Sequence, residues 1–347
     1  MKIKSVRKNQ ILLHFRIFPA LISLTLLLTF CGCTTLSDRE GAYTKNGVYF
    51  DTLISITLYC NDDAAADKYL EGCLGLCEKY SSLLDANIKG SDIYNINHSA
   101  GSYVKVSAET IDIIEKSLCY SNISSGLFDI TINSASKLWD FHEENGTLPD
   151  GDELSKALTH IDYQLISTDK AAGTVCLADK NASIDIGGIA KGYIADEIAG
   201  YLTNSEITGA LINIGGDITC IGHKPQDRLF SIGITDPFGG NTPILGLSLT
   251  DKSVATSGTY ERAFYIGDEK YHHILDPKTG YPVDTDVLSS TIIADSGMDA
   301  DCLGTVAILL GSRVALDLIN STENTEGIII CNNGDILYSD GISQYLE

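Results

Sequence analysis

Two kinds of apolar pattern recur along this chain of 347 residues. Short apolar runs flanked by turn-forming residues indicate strands, and apolar residues at three- and four-residue spacing indicate helices. Strands are predicted by this criterion at residues 55–59, 210–214, 289–293 and 327–331. Helices are predicted at residues 65–80, 108–121, 190–202 and 299–310.

The predicted strands and helices do not alternate regularly along the chain. An Asn333-Gly334 turn joins the strand at 327–331 to an apolar run at 336–338, which is the pattern of an antiparallel hairpin. No repeat, low-complexity segment or long linker follows residue 47, so residues 47–347 are expected to form one domain. The expected fold class is α+β, with mixed or antiparallel sheets and packed helices.

The first 33 residues have the composition of a secretory signal. Five basic residues and no acidic residue precede Cys33, and the apolar run at 17–30 is shorter than the roughly 20 residues of a membrane-spanning helix. The Gly32-Cys33 pair is similar to the cleavage site of bacterial lipoproteins. Residues 1–33 are therefore predicted to be a lipoprotein signal peptide, with a lipid on Cys33 and the polar residues 34–46 as a tether. Ordinary cleavage without a lipid, or an uncleaved anchor, is the alternative.

The negative net charge of the chain narrows the classes of molecule that it could bind. Loss of the five basic residues before Cys33 would change the formal net charge from −22 to −27. Nucleic acid and anionic lipid are poor partners for so acidic a surface. An anionic substrate would have to be bound locally, by a metal ion, a lysine and backbone amides at a helix terminus.

The ten cysteines do not have the spacing of a disulfide framework or a metal motif. The chain is long enough to build a core without disulfides. Cys73 and Cys77 lie on one helical stripe with Leu70 and Leu74, which predicts that they are small buried apolar residues. Mostly free thiols are expected.

Candidate chemistry lies in three distant segments, the first at residues 185–193. There a predicted strand ends, Gly187 and Gly188 turn the chain, and a helix begins. This arrangement presents free backbone amides to an anion, while Lys191 adds a positive charge and Asp185 an acceptor. A tight turn with a solvated lysine is the structural alternative.

The second segment contains two consecutive histidines, His272 and His273, before a turn at residues 276–280. Neighbouring side chains on a strand point to opposite faces, so only one of the two is expected to face a given site. That imidazole could transfer a proton near neutral pH. A surface histidine pair on a hairpin is the structural alternative.

The third segment places Asp301 and Thr305 four residues apart on a predicted helix, and therefore on one face. Both are hard oxygen donors of the kind that Mg²⁺ accepts. In isolation such a pair is typical of a solvated helix face. Together the three segments predict a metal-dependent site that cleaves a pyrophosphate.

Ordered motifs over residues 50–311 resemble the ApbE family of FAD:protein FMN transferases, which are flavin-trafficking lipoproteins. The motifs are residues 126–131, 138–139, 185–193, 211–217, 255–258, 260–262, 273–280 and 301–305. The resemblance implies a T-fold-related α+β domain located outside the cytoplasm. It also implies Mg²⁺ as cofactor, FAD as substrate, and transfer of FMN to a serine or threonine of an acceptor flavoprotein with release of AMP.

The resemblance further implies roles for individual residues. Asp301, Thr305 and the carbonyl of Gly188 are expected to bind Mg²⁺. His273 is expected to be the base that activates the acceptor hydroxyl, and Lys191 to neutralise charge on the transferring phosphoryl group. Contacts with FAD are expected from Phe50, Asn97, Leu127, Phe128, Asp129, Asp185, Lys191 and Ile274. The chain departs from the family at Phe50-Asp51-Thr52, where many members have Met-Gly-Thr.

The acceptor is expected to be another protein. The family's acceptor pattern has an aspartate three residues before the modified serine or threonine and Gly-Ala after it. The segment 256–259 is superficially similar, but Val254 stands where the aspartate is expected and Thr259 where the alanine is expected. Two alternatives stay open. With water as acceptor, the protein would be an FAD pyrophosphatase that produces FMN and AMP; without turnover, it would be an FAD-binding lipoprotein.

Overall fold

A computed structural model describes residues 41–50, 52–141 and 146–347. The predicted signal peptide and residues 34–40 of the predicted tether lie outside these ranges, as does Asp51. Strand β1 (Gly41–Tyr49) begins within the predicted tether, because its backbone pairs along its whole length with the next strand. The folded domain therefore includes residues 41–46. No helix in the described ranges is both long enough and apolar enough to cross a membrane.

An eight-stranded antiparallel sheet forms the centre of the domain, in the order β1-β2-β6-β7-β10-β13-β14-β15. Three smaller sheets have the orders β3-β5-β4, β8-β9 and β11-β12. The strands after β1 are β2 (Thr52–Cys60), β3 (Val104–Lys105), β4 (Ile166–Asp169), β5 (Thr174–Leu177), β6 (Gly209–Ile214), β7 (Asp217–Gly222), β8 (Phe230–Ile234), β9 (Leu245–Leu249), β10 (Lys252–Gly258), β11 (Ala263–Ile266), β12 (Glu269–His272), β13 (Val287–Ala294), β14 (Glu326–Cys331) and β15 (Ile336–Tyr338). The α+β class and the hairpin at Asn333-Gly334 are both confirmed.

All four predicted helices are present, and each is longer than its apolar pattern indicates. The α-helices are α1 (Asp63–Leu84), α2 (Asp92–Asn97), α3 (Ala108–Ile123), α4 (Asn133–Ser136), α5 (Gly151–Leu158), α6 (Gly187–Leu202), α7 (Gly297–Leu310) and α8 (Ser312–Ser321). Polar caps account for earlier starts: the Asp62 side chain accepts from two amides of α1, and the Ser296 hydroxyl accepts from the amide of Asp299 in α7.

Helices α6 and α7 lie in the core and are buried around most of their circumference. Ile189, Ile194 and Ile198 of α6 and Val306 and Ile308 of α7 are fully buried. Helix α7 also packs on β10 and β13 of the main sheet. An all-round apolar helix is a core helix, so the side chains near the start of α6 and on α7 are held rigidly.

The described cysteines are all free, and all but Cys119 are buried. Cys73 and Cys77 are fully buried on α1, as predicted for small apolar residues. Burial raises the pKa of Cys73 to about 12, so this thiol is protonated at neutral pH. These thiols are therefore part of the packing.

The contact between α6 and α7 depends on a glycine and a carboxylate. A Cβ atom on Gly192 would lie 2.1 Å from the carbonyl oxygen of Gly297, so only a residue without a side chain allows this approach. One turn later, the carboxylate of Asp196 accepts hydrogen bonds from the Ser296 hydroxyl at 2.7 Å and from the amides of Gly297 at 2.6 Å and Met298 at 3.0 Å. The N-terminus of α7 is thereby anchored to α6.

We expect Gly192→Ala to lower the free energy of unfolding by about 3 kcal/mol, the upper end of the usual range for overpacking, because the new methyl group meets backbone atoms. The measurement is denaturant unfolding followed by circular dichroism. Gly200→Ala is the matched control on the same helix, where a Cβ has no neighbour within 4 Å. That control should raise stability by about 0.5–1 kcal/mol. Equal effects of the two substitutions would contradict a close helix contact.

Candidate active site

A cleft of about 460 Å³ opens beside the start of α6, the face of α7 that carries Asp301 and Thr305, the end of β10 and the segment after β12. Its volume lies in the range of small-molecule binding sites. Eleven of the twelve predicted site residues line it: Phe50, Leu127, Phe128, Asp129, Asp185, Gly188, Lys191, His273, Ile274, Asp301 and Thr305. The three segments that suggested chemistry in the sequence therefore share one cavity.

Lys191 is held between two carboxylates at the base of this cleft. Its Nζ lies 2.7 Å from Asp301 Oδ1 and 3.0 Å from Asp217 Oδ2. The other oxygen of Asp301 accepts from the amide of Gly192 at 3.1 Å. Burial alone would lower the pKa of Lys191, but the two carboxylates outweigh it and raise the pKa above its ordinary value. Lys191 is therefore charged and already ion-paired.

Asp217 begins β7, next to β10, and is 7% exposed. Burial raises its pKa to about 6; the nearby Asp301 adds to the shift and Lys191 opposes it. No described group other than Lys191 contacts its Oδ2, while Oδ1 accepts from the amide of Thr256 at 3.3 Å. The Lys191 ion pair is therefore what compensates the burial of this carboxylate.

Thr305 lies one helical turn after Asp301, on the same face of α7. Its hydroxyl is 3.3 Å from the hydroxyl of Ser257 on β10. A Cβ atom on Gly304 would lie 2.9 Å from that serine oxygen, so the glycine permits the close packing of α7 on β10. A Cβ atom on Gly188 would lie 3.7 Å from Thr305 Oγ1, which places the start of α6 beside the same hydroxyl.

The predicted metal ligands are chemically suited to Mg²⁺. The Asp301 carboxylate, the Thr305 hydroxyl and the Gly188 carbonyl are all hard oxygen donors, which this ion prefers together with water or phosphate oxygens. Within the described ranges, no group of three or more His, Cys, Asp or Glu side chains could hold a metal ion. The predicted set contains only one carboxylate and does not depend on such a group.

The two histidines have different surroundings, as the strand alternation predicted. His273 lines the cleft, whereas His272 is 6% exposed and does not line it. Burial, and then the charge of nearby Arg262, lower the pKa of His273 to about 4. Its Nδ1 is buried and has no hydrogen-bond partner among the described residues. His273 is therefore a neutral imidazole at pH 7 on the wall of the cleft.

One wall of the cleft is apolar, with Leu127, Phe128 and Ile274 beside Phe50. Phe50 adopts a positive φ of 52° in the turn between β1 and β2. The adjacent Asp129 also lines the cleft, but its carboxylate is engaged elsewhere. It accepts from the amide of Thr131 at 2.8 Å, the Thr131 hydroxyl at 2.6 Å and the amide of Tyr163 at 2.9 Å. Asp129 therefore shapes the loop that carries this wall.

Asn97 is the one predicted site residue that does not line the main cleft. It lines an adjoining cavity of about 420 Å³, which shares Phe50 and Asp185 with the cleft. Its side-chain amide accepts from the amide of Ile184 at 2.7 Å and donates to the carbonyl of Ile184 at 3.0 Å. Asn97 thus holds the backbone just before Asp185, whose Oδ1 accepts from the amide of Gly187 at 2.7 Å.

Four further residues of the cleft had no role in the sequence analysis: Asp217, Ser257, Glu261 and Arg262. All four stand within segments that resemble the family, but sequence alone does not indicate which of them face the cleft. Burial, and then the charge of Asp217, raise the pKa of Glu261 to about 7, while Arg262 opposes the shift. The segment 260–262 therefore lies close to the Lys191 cluster.

Comparison with known proteins identifies the family of this chain. The ApbE family model matches residues 50–329, and the chain belongs to the ApbE family. It is 32% identical over 306 residues to an FAD:protein FMN transferase of Klebsiella pneumoniae, covering 88% of this chain and 93% of that protein. It is 33% identical over 335 residues to an FAD:protein FMN transferase of Treponema pallidum, covering 91% and 92%.

The fold is also shared with solved structures of this family. The crystal structure of the ApbE protein from Thermotoga maritima has a TM-score of 0.80 at 29% identity, covering 88% of this chain and all of that chain. The flavin transferase ApbE from Vibrio cholerae has a TM-score of 0.78 at 22% identity, over 88% of this chain and 100% of that one. The predicted fold class is thus confirmed.

Proposed function

We propose that this protein is an FAD:protein FMN transferase, which moves FMN from FAD to a serine or threonine hydroxyl of an acceptor protein and releases AMP. Membership of the ApbE family and the similarity to named transferases support this function. The observation that carries it is the convergence of Lys191, His273, Asp301 and Thr305 on one cleft with an apolar wall. The wall suits an isoalloxazine ring, and the polar residues suit a pyrophosphate.

Asp301, Thr305 and the carbonyl of Gly188 would hold Mg²⁺ in this site. When bound, the ion supplies positive charge to the phosphate oxygens, both before and during phosphoryl transfer. A bound cation is needed because, among the described residues of the cleft, carboxylates outnumber the two cationic side chains. Lys191 orients Asp301 through the 2.7 Å ion pair.

His273 is the group that accepts a proton from the acceptor hydroxyl. Because burial lowers its pKa to about 4, nearly all of its imidazole is neutral and able to accept a proton at pH 7. As the proton moves to His273, the hydroxyl oxygen forms a bond to the FMN-side phosphorus. The bond from that phosphorus to the bridging oxygen breaks, and the bridging oxygen leaves with AMP.

Two other activities would use the same cleft. If water takes the place of the protein hydroxyl, the products are FMN and AMP, and the protein is an FAD pyrophosphatase. If no bond is broken, the protein is an FAD carrier. The oxygen donors of Asp301 and Thr305 support a catalytic role, because a carrier does not need a hard-metal site.

We expect the protein to release AMP from FAD in the presence of Mg²⁺ and an acceptor protein, and Asp301→Ala to abolish this release, since the variant loses a metal ligand. The measurement is chromatographic detection of AMP, with calorimetric titration of Mg²⁺ alone as a separate readout of metal binding. Asp317→Ala is the matched control, because Asp317 is an exposed carboxylate on the neighbouring helix α8.

The same assay separates the three activities when it is run with and without a protein fragment carrying the family's acceptor pattern. AMP release that requires the fragment, with FMN added to its mass, supports the transferase. AMP release without it identifies a pyrophosphatase, and intact FAD identifies a carrier. Full activity of Asp301→Ala would remove Asp301 from the metal site.

We expect His273→Ala to bind FAD but to transfer FMN about 10²-fold or more slowly, because the acceptor hydroxyl loses its base. Flavin fluorescence measures binding, and the mass of the acceptor measures transfer. Unchanged transfer kinetics would rule out His273 as the base.

His272→Gln is the matched control for this substitution, since His272 is adjacent but outside the cleft. It should transfer FMN at the wild-type rate. Burial, and then nearby Lys270, lower the pKa of His272 from 6.5 to about 4. Between these values the unfolded chain binds a proton that the folded protein does not, so stability falls as the pH falls from 6.5 to 4. His272→Gln should reduce this loss of stability.

We also propose that the protein is exported and anchored to the outer surface of the bacterial cytoplasmic membrane through a lipid on Cys33. The signal-like composition of residues 1–33 supports this location. Expressed as the full chain in a bacterial host, the protein should partition into the detergent phase of a Triton X-114 extract. Cys33→Ser should move it to the aqueous phase or leave its signal uncleaved, and unchanged partition of a processed variant would exclude the lipid.

A further inference from the structure

The positive charge of Lys191 is already committed to other side chains. Its ammonium group contacts both Asp301 and Asp217, and these two carboxylates together carry one more charge than the lysine. A phosphate group that approaches this cluster meets a net negative charge. Lys191 therefore maintains the geometry of the cluster but cannot be the main source of positive charge for the substrate.

The rest of the cleft is also acidic. Among the described residues, six carboxylates line it, and Lys191 and Arg262 are the two cationic side chains. The carboxylates belong to Asp85, Asp129, Asp185, Asp217, Glu261 and Asp301. Once Lys191 is assigned to its two partners, Arg262 is the remaining cation among the described residues of the cleft.

Arg262 is exposed at the cleft, and its guanidinium group has no hydrogen bond or ion pair with any residue that the structure describes. An arginine so close to carboxylates would ordinarily pair with one of them. Its neighbour Glu261 lines the same cleft but forms no ion pair with it within 4 Å among the described groups. The guanidinium is therefore available to a ligand.

The backbone fixes the position of Arg262 relative to the proposed base. The β11-β12 pairing aligns Ala263 with His272, and it continues by one residue because the amide of His273 donates to the carbonyl of Arg262 at 3.1 Å. Residues directly opposite each other on antiparallel strands extend their side chains to the same face. Arg262 and His273 accordingly both line the cleft.

We propose that Arg262 binds the pyrophosphate of FAD and stabilises the negative charge of the transferring phosphoryl group, while Lys191 is a positioning residue for Asp301 and Asp217. This inference rests on the proposed function. A guanidinium group can donate two parallel hydrogen bonds to phosphate oxygens, which gives it more directional control than an ammonium group. Its place opposite His273 lets the same strand pair present the base and the charge.

The ligand that a guanidinium group binds is an oxyanion. In this proposal the oxyanion is the pyrophosphate of FAD, and the alternative is a carboxylate of the acceptor protein. FAD and riboflavin distinguish them without turnover, because riboflavin has the same ring system but no phosphate. We expect Arg262→Ala to weaken FAD binding about tenfold or more in flavin fluorescence titrations and to leave riboflavin binding unchanged. Arg262→Lys should bind FAD with intermediate affinity, because it restores charge but not the paired donors.

Turnover provides a second, independent readout. Loss of one group that stabilises charge in a transition state typically lowers kcat by about 10²–10³-fold. We expect Arg262→Ala to lower kcat by about this factor with either water or the protein fragment as acceptor, and added guanidinium ion to restore part of the rate. Arg313→Ala is the matched control, since Arg313 is an exposed arginine on α8, outside the cleft.

Each outcome decides for or against this assignment. Weaker FAD binding, unchanged riboflavin binding and rescue by guanidinium support it. An increase in KM for the protein acceptor alone, with FAD binding unchanged, would assign Arg262 to the acceptor carboxylate and overturn it. Wild-type FAD affinity in Arg262→Ala would also overturn it. If the wild-type protein binds FAD but releases no AMP, the proposed function fails, while the binding comparison still tests Arg262.

Discussion

The contact between helices α6 and α7 is the constraint on which the cleft depends. Gly192 lets the two helices meet at backbone distance, and Asp196 holds the first turn of α7 through three hydrogen bonds. Because of this approach, Lys191 and Asp301, which are 110 residues apart in sequence, form an ion pair of 2.7 Å. The geometry of the cleft is thus built on two buried core helices, where close packing resists small displacements.

The balance of charge in the cleft follows from that arrangement. A buried carboxylate is stable only with a partner, and Lys191 serves both Asp301 and Asp217. In the proposed mechanism Lys191 therefore has a structural role, and the positive charge for a pyrophosphate comes from a metal ion and from Arg262, which lies outside the cluster. Catalysis of phosphoryl transfer is largely positioning and electrostatics, so the proposed function depends on this division of roles between the ion-paired Lys191 and the exposed Arg262.

Local sequence was sufficient for the helices with strong apolar spacing and for the three segments that carry Lys191, His273 and Asp301. The apolar wall of the cleft was expected only from the resemblance to the ApbE family. Apolar spacing located the four long helices, and alternation on a strand separated His273 from His272. The role of Asp217 was not predictable in this way, because it depends on β7 lying beside β10, a neighbour relation set by the order of strands in the sheet. Arg262 was missed for a similar reason, since its relation to His273 exists only across paired strands. The starts of α1 and α7 were missed because polar caps are absent from an apolar pattern.

The small β11-β12 hairpin has an evolutionary consequence. Side chains alternate along β12 and the residue that follows it, so a shift of one position would present His272 to the cleft and turn the proposed base toward the interior. Gly267, with a φ of 61°, lies in the turn that joins the two strands. Exposed loops usually tolerate insertions and deletions. In this loop an odd change in length would remove the proposed proton acceptor from the cleft, so variation should be confined to substitutions that preserve the number of residues.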